Sequence, residues 1–197
     1  MGQQCLRRIV AVALVVVCAG VAGAWAQQPK YGGTLRVAFE ADITGLDPAI
    51  PGLQNYYVNQ NLFNTMVTLD EHLGFVPDLA ESWDIQEQGK IYVFKLRRNV
   101  KFHDDTDFDA AAVKWNLDRI IADDKAAAHR FFANVESSTV IDAHTLNITM
   151  RYPTATLLSA LATNGTGLLI ISPTSEKTWG QDVLRHPAGT GPFRFVT

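Results

Sequence analysis

Cysteine is nearly absent from this 197-residue sequence. Both copies, Cys5 and Cys18, stand close to the N-terminus. The remaining chain therefore holds no disulfide framework, no cysteine zinc site and no thiol nucleophile. Basic clusters are also missing. Arg97-Arg98 followed by Lys101 is too short a run for a nucleic-acid footprint. No apolar run after Ala26 is long enough to cross a bilayer. There is no Gly-x-Ser-x-Gly elbow, and no Lys-Ser/Thr pair follows the glycines at Gly189 and Gly191. A nucleotide cradle is thus excluded, and a secreted hydrolase is kept only as the weakest alternative.

The N-terminus has the pattern of a secretory signal. Arg7 and Arg8 precede an apolar run from Ile9 to Val17, small residues continue to Ala24, and Ala24-Trp25-Ala26 provides a small-x-small cleavage site. The expected product is periplasmic and begins at Gln27. Val16 and Val17 occupy the positions where a lipoprotein signal needs small residues, so Cys18 is expected to fill the apolar core and not to carry lipid. Cleavage would remove both cysteines and two of the 17 basic residues but none of the 20 acidic ones. That leaves 15 basic against 20 acidic, a formal charge of −5. The 171 residues that remain suffice to bury a core without covalent staples.

Periodicity organises the rest. Leu35, Val37 and Phe39 alternate with polar or small residues, which predicts a half-buried strand over Thr34–Phe39. A loop with Gly45, Pro48, Pro51 and Gly52 follows. A helix is expected over Tyr57–Thr65 and a short strand over Val67–Leu69. Ser82–Gln86 and Ile91–Arg97 should form a hairpin, with Gly89 easing its turn. Tyr92, Phe94 and Leu96 share one face. Asp109 is a natural N-cap for a helix carrying Val113, Leu117, Ile120 and Ile121 at helical spacing, and Phe108 can staple to Val113. Ser138–Ile141 and Leu146–Met150 predict a second hairpin. A short helix runs from Pro153 to Leu161. The fully apolar Leu168–Ile171 predicts a buried strand.

The acidic run His103-Asp104-Asp105 with Asp107 and Asp109 lacks the glycine and distal glutamate of a calcium loop, and no second His or Cys stands near it. It is expected to be a solvated loop leading to the cap, with no metal and no cofactor. The five histidines lie in polar, loop-like contexts and are expected at the surface. Trp83 and Trp115 are expected to pack the core.

From Pro77 to Ile121 the chain carries Pro-x-Leu-Ala-x-x-Trp, the hairpin and the capped helix. Near the C-terminus stands Gly189-Thr190-Gly191-Pro192-Phe193. Together these resemble the family 5 extracellular solute-binding proteins, the peptide-, nickel- and oligopeptide-type receptors of bacterial ABC importers. Asp105 stands where the family usually has glycine, in a turn expected to need positive φ. The resemblance implies an α/β fold of the periplasmic-binding-protein-like class, a type II clamshell, present here incompletely: part of the first lobe plus an inserted smaller α/β domain. Residues 1–26 would be signal, 27–51 the first segment of lobe 1, 52–187 the inserted domain with its connections, and 188–197 the return strand, with the second lobe absent.

The implied function is capture of a peptide or similar small solute for ABC importer permease subunits, by a chain that is not an enzyme. Tyr56 and Tyr57, following the loop at the expected cleft mouth, and Asn164 are the candidate ligand-binding residues. The alternative from a different class is a small secreted interaction or chaperone-like module.

Overall fold

The computed structural model describes residues 32–50, 53–126, 128–162 and 167–196. Contacts divide the chain into two units, Met1–Ala38 and Phe39–Thr197. The signal pattern lies outside the described residues. In the first unit, residues 34–38 form no strand, and Leu35 and Val37 are exposed. The half-buried strand expected there is therefore corrected. Its alternation is present in the sequence, but the segment has no ladder partner among the described residues.

The second unit is built on a four-stranded antiparallel sheet. Its strands are β3 (Ala80–Gln86), β4 (Ile91–Leu96), β5 (Val135–Asp142) and β6 (Thr145–Met150), in the order β3-β4-β6-β5. Alternation in β4 and β6 puts Tyr92, Phe94 and Leu96 on the same buried face as Leu146, Ile148 and Met150. Tyr92 faces Ile148 and Phe94 faces Leu146 across the ladder. A separate pair, β1 (Val67–Leu69) and β2 (Phe75–Pro77), precedes the sheet.

The turn between β3 and β4 needs more than its glycine. Glu87, Gln88 and Gly89 all have positive φ, at 46°, 56° and 94°.

The helices are α1 (Leu53–Leu62), α2 (Ala110–Ala122), α3 (His129–Phe132), α4 (Leu157–Ala162) and α5 (Pro173–Trp179), the last followed by a 3₁₀ turn over Gly180–Arg185. Helix α2 lies against β5 and β6. It starts where the cap predicts: the Ala112 N–H donates to Asp109 Oδ1 at 2.8 Å. Phe108, Val113, Leu117 and Ile120 are buried in one core with the inner sheet face. Asp105 has φ +66°, as its place in the loop requires. Ser172 caps α5, with Pro173 in the first turn.

Four further expected elements differ, the first being the helix expected from Pro153, which runs over Leu157–Ala162. Helix α1 begins at Leu53, ahead of Tyr57. Leu168–Ile171 is buried but is not a strand. Its backbone is satisfied by side chains and loops: Asn116 Nδ2 donates to Ile171 O at 2.8 Å, Asn116 Oδ1 accepts from Ile171 N at 3.1 Å, and Ile170 N donates to Asn64 O at 3.0 Å. Gly189–Val196 is likewise irregular. Gly191 N and Phe193 N donate to Leu62 O and Asn61 O at the end of α1, so the return segment pairs with a helix terminus and not with a strand.

Candidate functional site

Two features are assembled around α1. The first is aromatic. Tyr56 is half-buried and Tyr57 is 45% exposed. Their rings lie 5.5 Å apart, and Phe39 stacks on Tyr57 at 6.2 Å. The structure therefore brings both sequence-chosen tyrosines together with Phe39, which sequence reasoning had placed in the strand. Asn164, the third candidate, lies outside the described residues.

The loop ahead of α1 is held firmly. Thr44 N donates to Asn55 Oδ1 and Asn55 Nδ2 to Thr44 Oγ1, while Leu46 N donates to Leu184 O. Asp47, 5% exposed, accepts from Ala49 N and forms an ion pair with Arg119 of α2. Arg119 also lies over the Trp115 ring. A charged pair this protected from water anchors the loop to the helix, and removing one partner would strand the other.

The second feature is the crossover at Gly189-Thr190-Gly191. Neither glycine has a positive φ. They are needed for close approach: a Cβ on Gly189 would stand 2.1 Å from Leu62 O, and one on Gly191 would stand 2.5 Å from the Leu62 carbonyl carbon. Thr190 Oγ1 donates to Asn64 Oδ1 at 2.9 Å.

His103 closes the other side. Its backbone N–H donates to Gly189 O, its Nδ1 accepts from Gly189 N at 3.3 Å, and its Nε2 meets Gly191 O at 2.9 Å. One ring thus spans two glycines. Asp104 adds a second tie, accepting from Ser172 Oγ at 2.6 Å and from Thr106. Farther along this run, Asp107 pairs with Lys101, and Asp109 caps α2.

Sequence reasoning missed His103 by placing it at the surface. The available signal was two glycines too closely spaced for an ordinary strand. Trp83 and Trp115 are partly buried against the two core clusters. The groups with resolved pKa shifts lie outside the aromatic group and the crossover. Burial raises the Tyr92 phenol, whose hydroxyl donates to Thr154 O. The His144 backbone N–H lowers Asp142, and an Asp107 hydrogen bond raises Lys101.

Residues 74–197 match the model of the bacterial extracellular solute-binding proteins, family 5 middle. The chain belongs to this family. It is 33% identical over 191 residues to the glutathione-binding protein GsiB of Pectobacterium atrosepticum, covering 92% of this chain and 35% of that protein.

Among solved structures, it resembles NikA from Brucella suis in complex with Fe(III)-EDTA, with TM-score 0.72, 26% identity, and coverage of 81% of this chain and 32% of that one. It also resembles the ABC transporter-associated periplasmic binding protein DppA from Helicobacter pylori in complex with the peptide STSA. There the TM-score is 0.68, the identity 26%, and coverage 80% and 35%. The α/β fold is therefore that of family 5, and the chain spans about a third of the length of these relatives. The relatives are transport and binding proteins by name. Within the family fold, the crossover is the stretch that ties residues 189–193 to the end of α1.

Proposed function

We propose that this chain supplies part of the solute-binding receptor of an ABC importer, capturing peptides or similar small solutes in the periplasm. Family membership carries this reading. The segments follow the family plan: a leader to Ala26, a first segment of lobe 1 to Pro51, an inserted α/β domain to Pro187, and a return segment from Ala188. Tyr56, Tyr57 and Asn164 are the proposed solute contacts, with Phe39 extending the aromatic surface of the two tyrosines. The Gly189–Gly191 crossover ties the return segment to the end of α1. Export would leave Gln27 as the first residue, which N-terminal sequencing of periplasmic protein checks; a start at a lipidated Cys18 would refute it.

The decisive test is a chimera. This chain replaces the matching third of the Pectobacterium GsiB relative, and calorimetry measures glutathione and a pool of short peptides. Saturable binding weakened by Tyr57→Ala supports the assignment. Binding unaffected by Tyr57→Ala would remove that residue from the site. A folded chimera that binds neither glutathione nor peptide would refute the receptor reading.

A further inference from the structure

A cleft of about 760 Å³ opens between the start of β5 and the link from β6 to α4. Arg130, Phe131, Asn134, Arg151, Tyr152 and Thr154 carry its chemistry. Its walls are well held. Arg151 N donates to Asn134 O at 2.9 Å. Asn134 Nδ2 donates to Tyr152 O at 3.2 Å and also to Thr154 Oγ1, and Thr154 Oγ1 donates to Tyr152 O at 2.9 Å. Asn134 Oδ1 is shielded from solvent and has no partner. Tyr152 remains 63% exposed.

Arg130 lies over the Phe131 ring at 4.7 Å, and among the described residues neither Arg130 nor Arg151 enters an ion pair. This holds in a chain with 20 acidic residues. Both arginines are exposed on this cleft, and a bound oxyanion would accept charge-assisted hydrogen bonds from them. The rest of the lining is mixed: Asn134, Thr154, Thr156 and Ser159 are polar, and the Phe131 and Tyr152 rings with Ala133 and Ala160 supply apolar surface. An inorganic anion would satisfy the arginines but leave those surfaces wet. The volume falls in the range of small-molecule sites.

We propose that this cleft is a separate ligand site for an organic carboxylate of about dipeptide size, with its carboxylate on Arg130 and Arg151 and its apolar body against Phe131 and Tyr152. The inference does not rest on the import reading, because every lining residue lies within 130–160 and none belongs to the aromatic group or the crossover.

The test titrates the isotope-labelled chain with N-acetyl-Ala-Phe and follows the Asn134 side-chain amide and the arginine Nε–H signals by NMR. Saturable shifts in the millimolar range are expected. The C-terminal amide of the same peptide should bind about tenfold more weakly or worse, as loss of the charged partner implies. Arg130→Gln with Arg151→Gln should weaken binding by a similar factor while leaving the signals of the sheet unchanged. Inorganic phosphate should give no saturable shift. Absence of saturation with the acid, equal binding of the amide, equal binding by the double variant, or phosphate binding as tightly as the peptide would each overturn the proposal.

Discussion

His103 and Gly189 make one contact from opposite sides, and side-chain size decides it. Gly189→Ala places a methyl group 2.1 Å from Leu62 O, so the crossover must shift. A loss of about 2–3 kcal/mol is expected, as for overpacking a tight site, measurable as a lower urea midpoint. An unchanged midpoint would mean the glycine is not held against α1. The glycines themselves were legible in the sequence, but their reason was not. Sequence reading assigns them to a tight turn, whereas the structure uses them to bring two backbones together. Close approach is a property of the partner, here Leu62, and the local pattern around Gly189 cannot show it. The opposite case is Asp105. Its left-handed φ was legible because the family pattern marks a turn that only a few residue types enter readily.

Elements set by local rules were legible; elements set by distant partners were not. The cap of α2 and the two hairpins follow from short-range pattern, and all three form. Asp109→Ala is expected to cost about 1 kcal/mol, the usual worth of an N-cap side chain, read from chemical denaturation. A variant as stable as the parent would show that the Ala112 N–H needs no cap.

The β5–β6 turn carries a pH signature. Asp142 is lowered chiefly by the His144 N–H, which donates to its Oδ1 at 2.8 Å. A carboxylate lowered in the folded state adds stability above its unfolded value, and that stability is lost as pH falls through the lowered folded value. Asp142→Asn should therefore flatten the decline in urea midpoint between about pH 5 and pH 3, a window set by the ordinary carboxylate range. Equal slopes in variant and parent would refute the assignment. Leu168–Ile171 was misread because an apolar run reports burial and not pairing. Asn116, far off in sequence, supplies the hydrogen bonds that a neighbouring strand would otherwise make. Helix α1 was placed too late because its apolar residues do not gather on one face.

At the scale of the molecule, the family and the α/β class were legible in the marker stretch, while the solute was not. Two of the three proposed ligand residues meet in one aromatic group, and the third lies outside the described residues. A clamshell buries most of its solute between two lobes, and this chain spans about a third of its relatives. The 197-residue polypeptide by itself is therefore expected to show no micromolar peptide binding in calorimetry with a mixed di- and oligopeptide pool. Tight binding there would mean that one lobe's surface suffices.

The clamp at Leu62 also closes the neck of this unit. The chain leaves this unit beside the helix with which it came in, since Phe193 and Gly191 bond to Asn61 and Leu62, and the preceding loop bonds to Leu184. A unit whose two ends lie together can be spliced into a host protein, or cut out of one, without stretching the host, because it occupies the footprint of a single loop. Phe193, bonded to Asn61, closes such a neck on α1, and the glycines that fasten it keep the neck short.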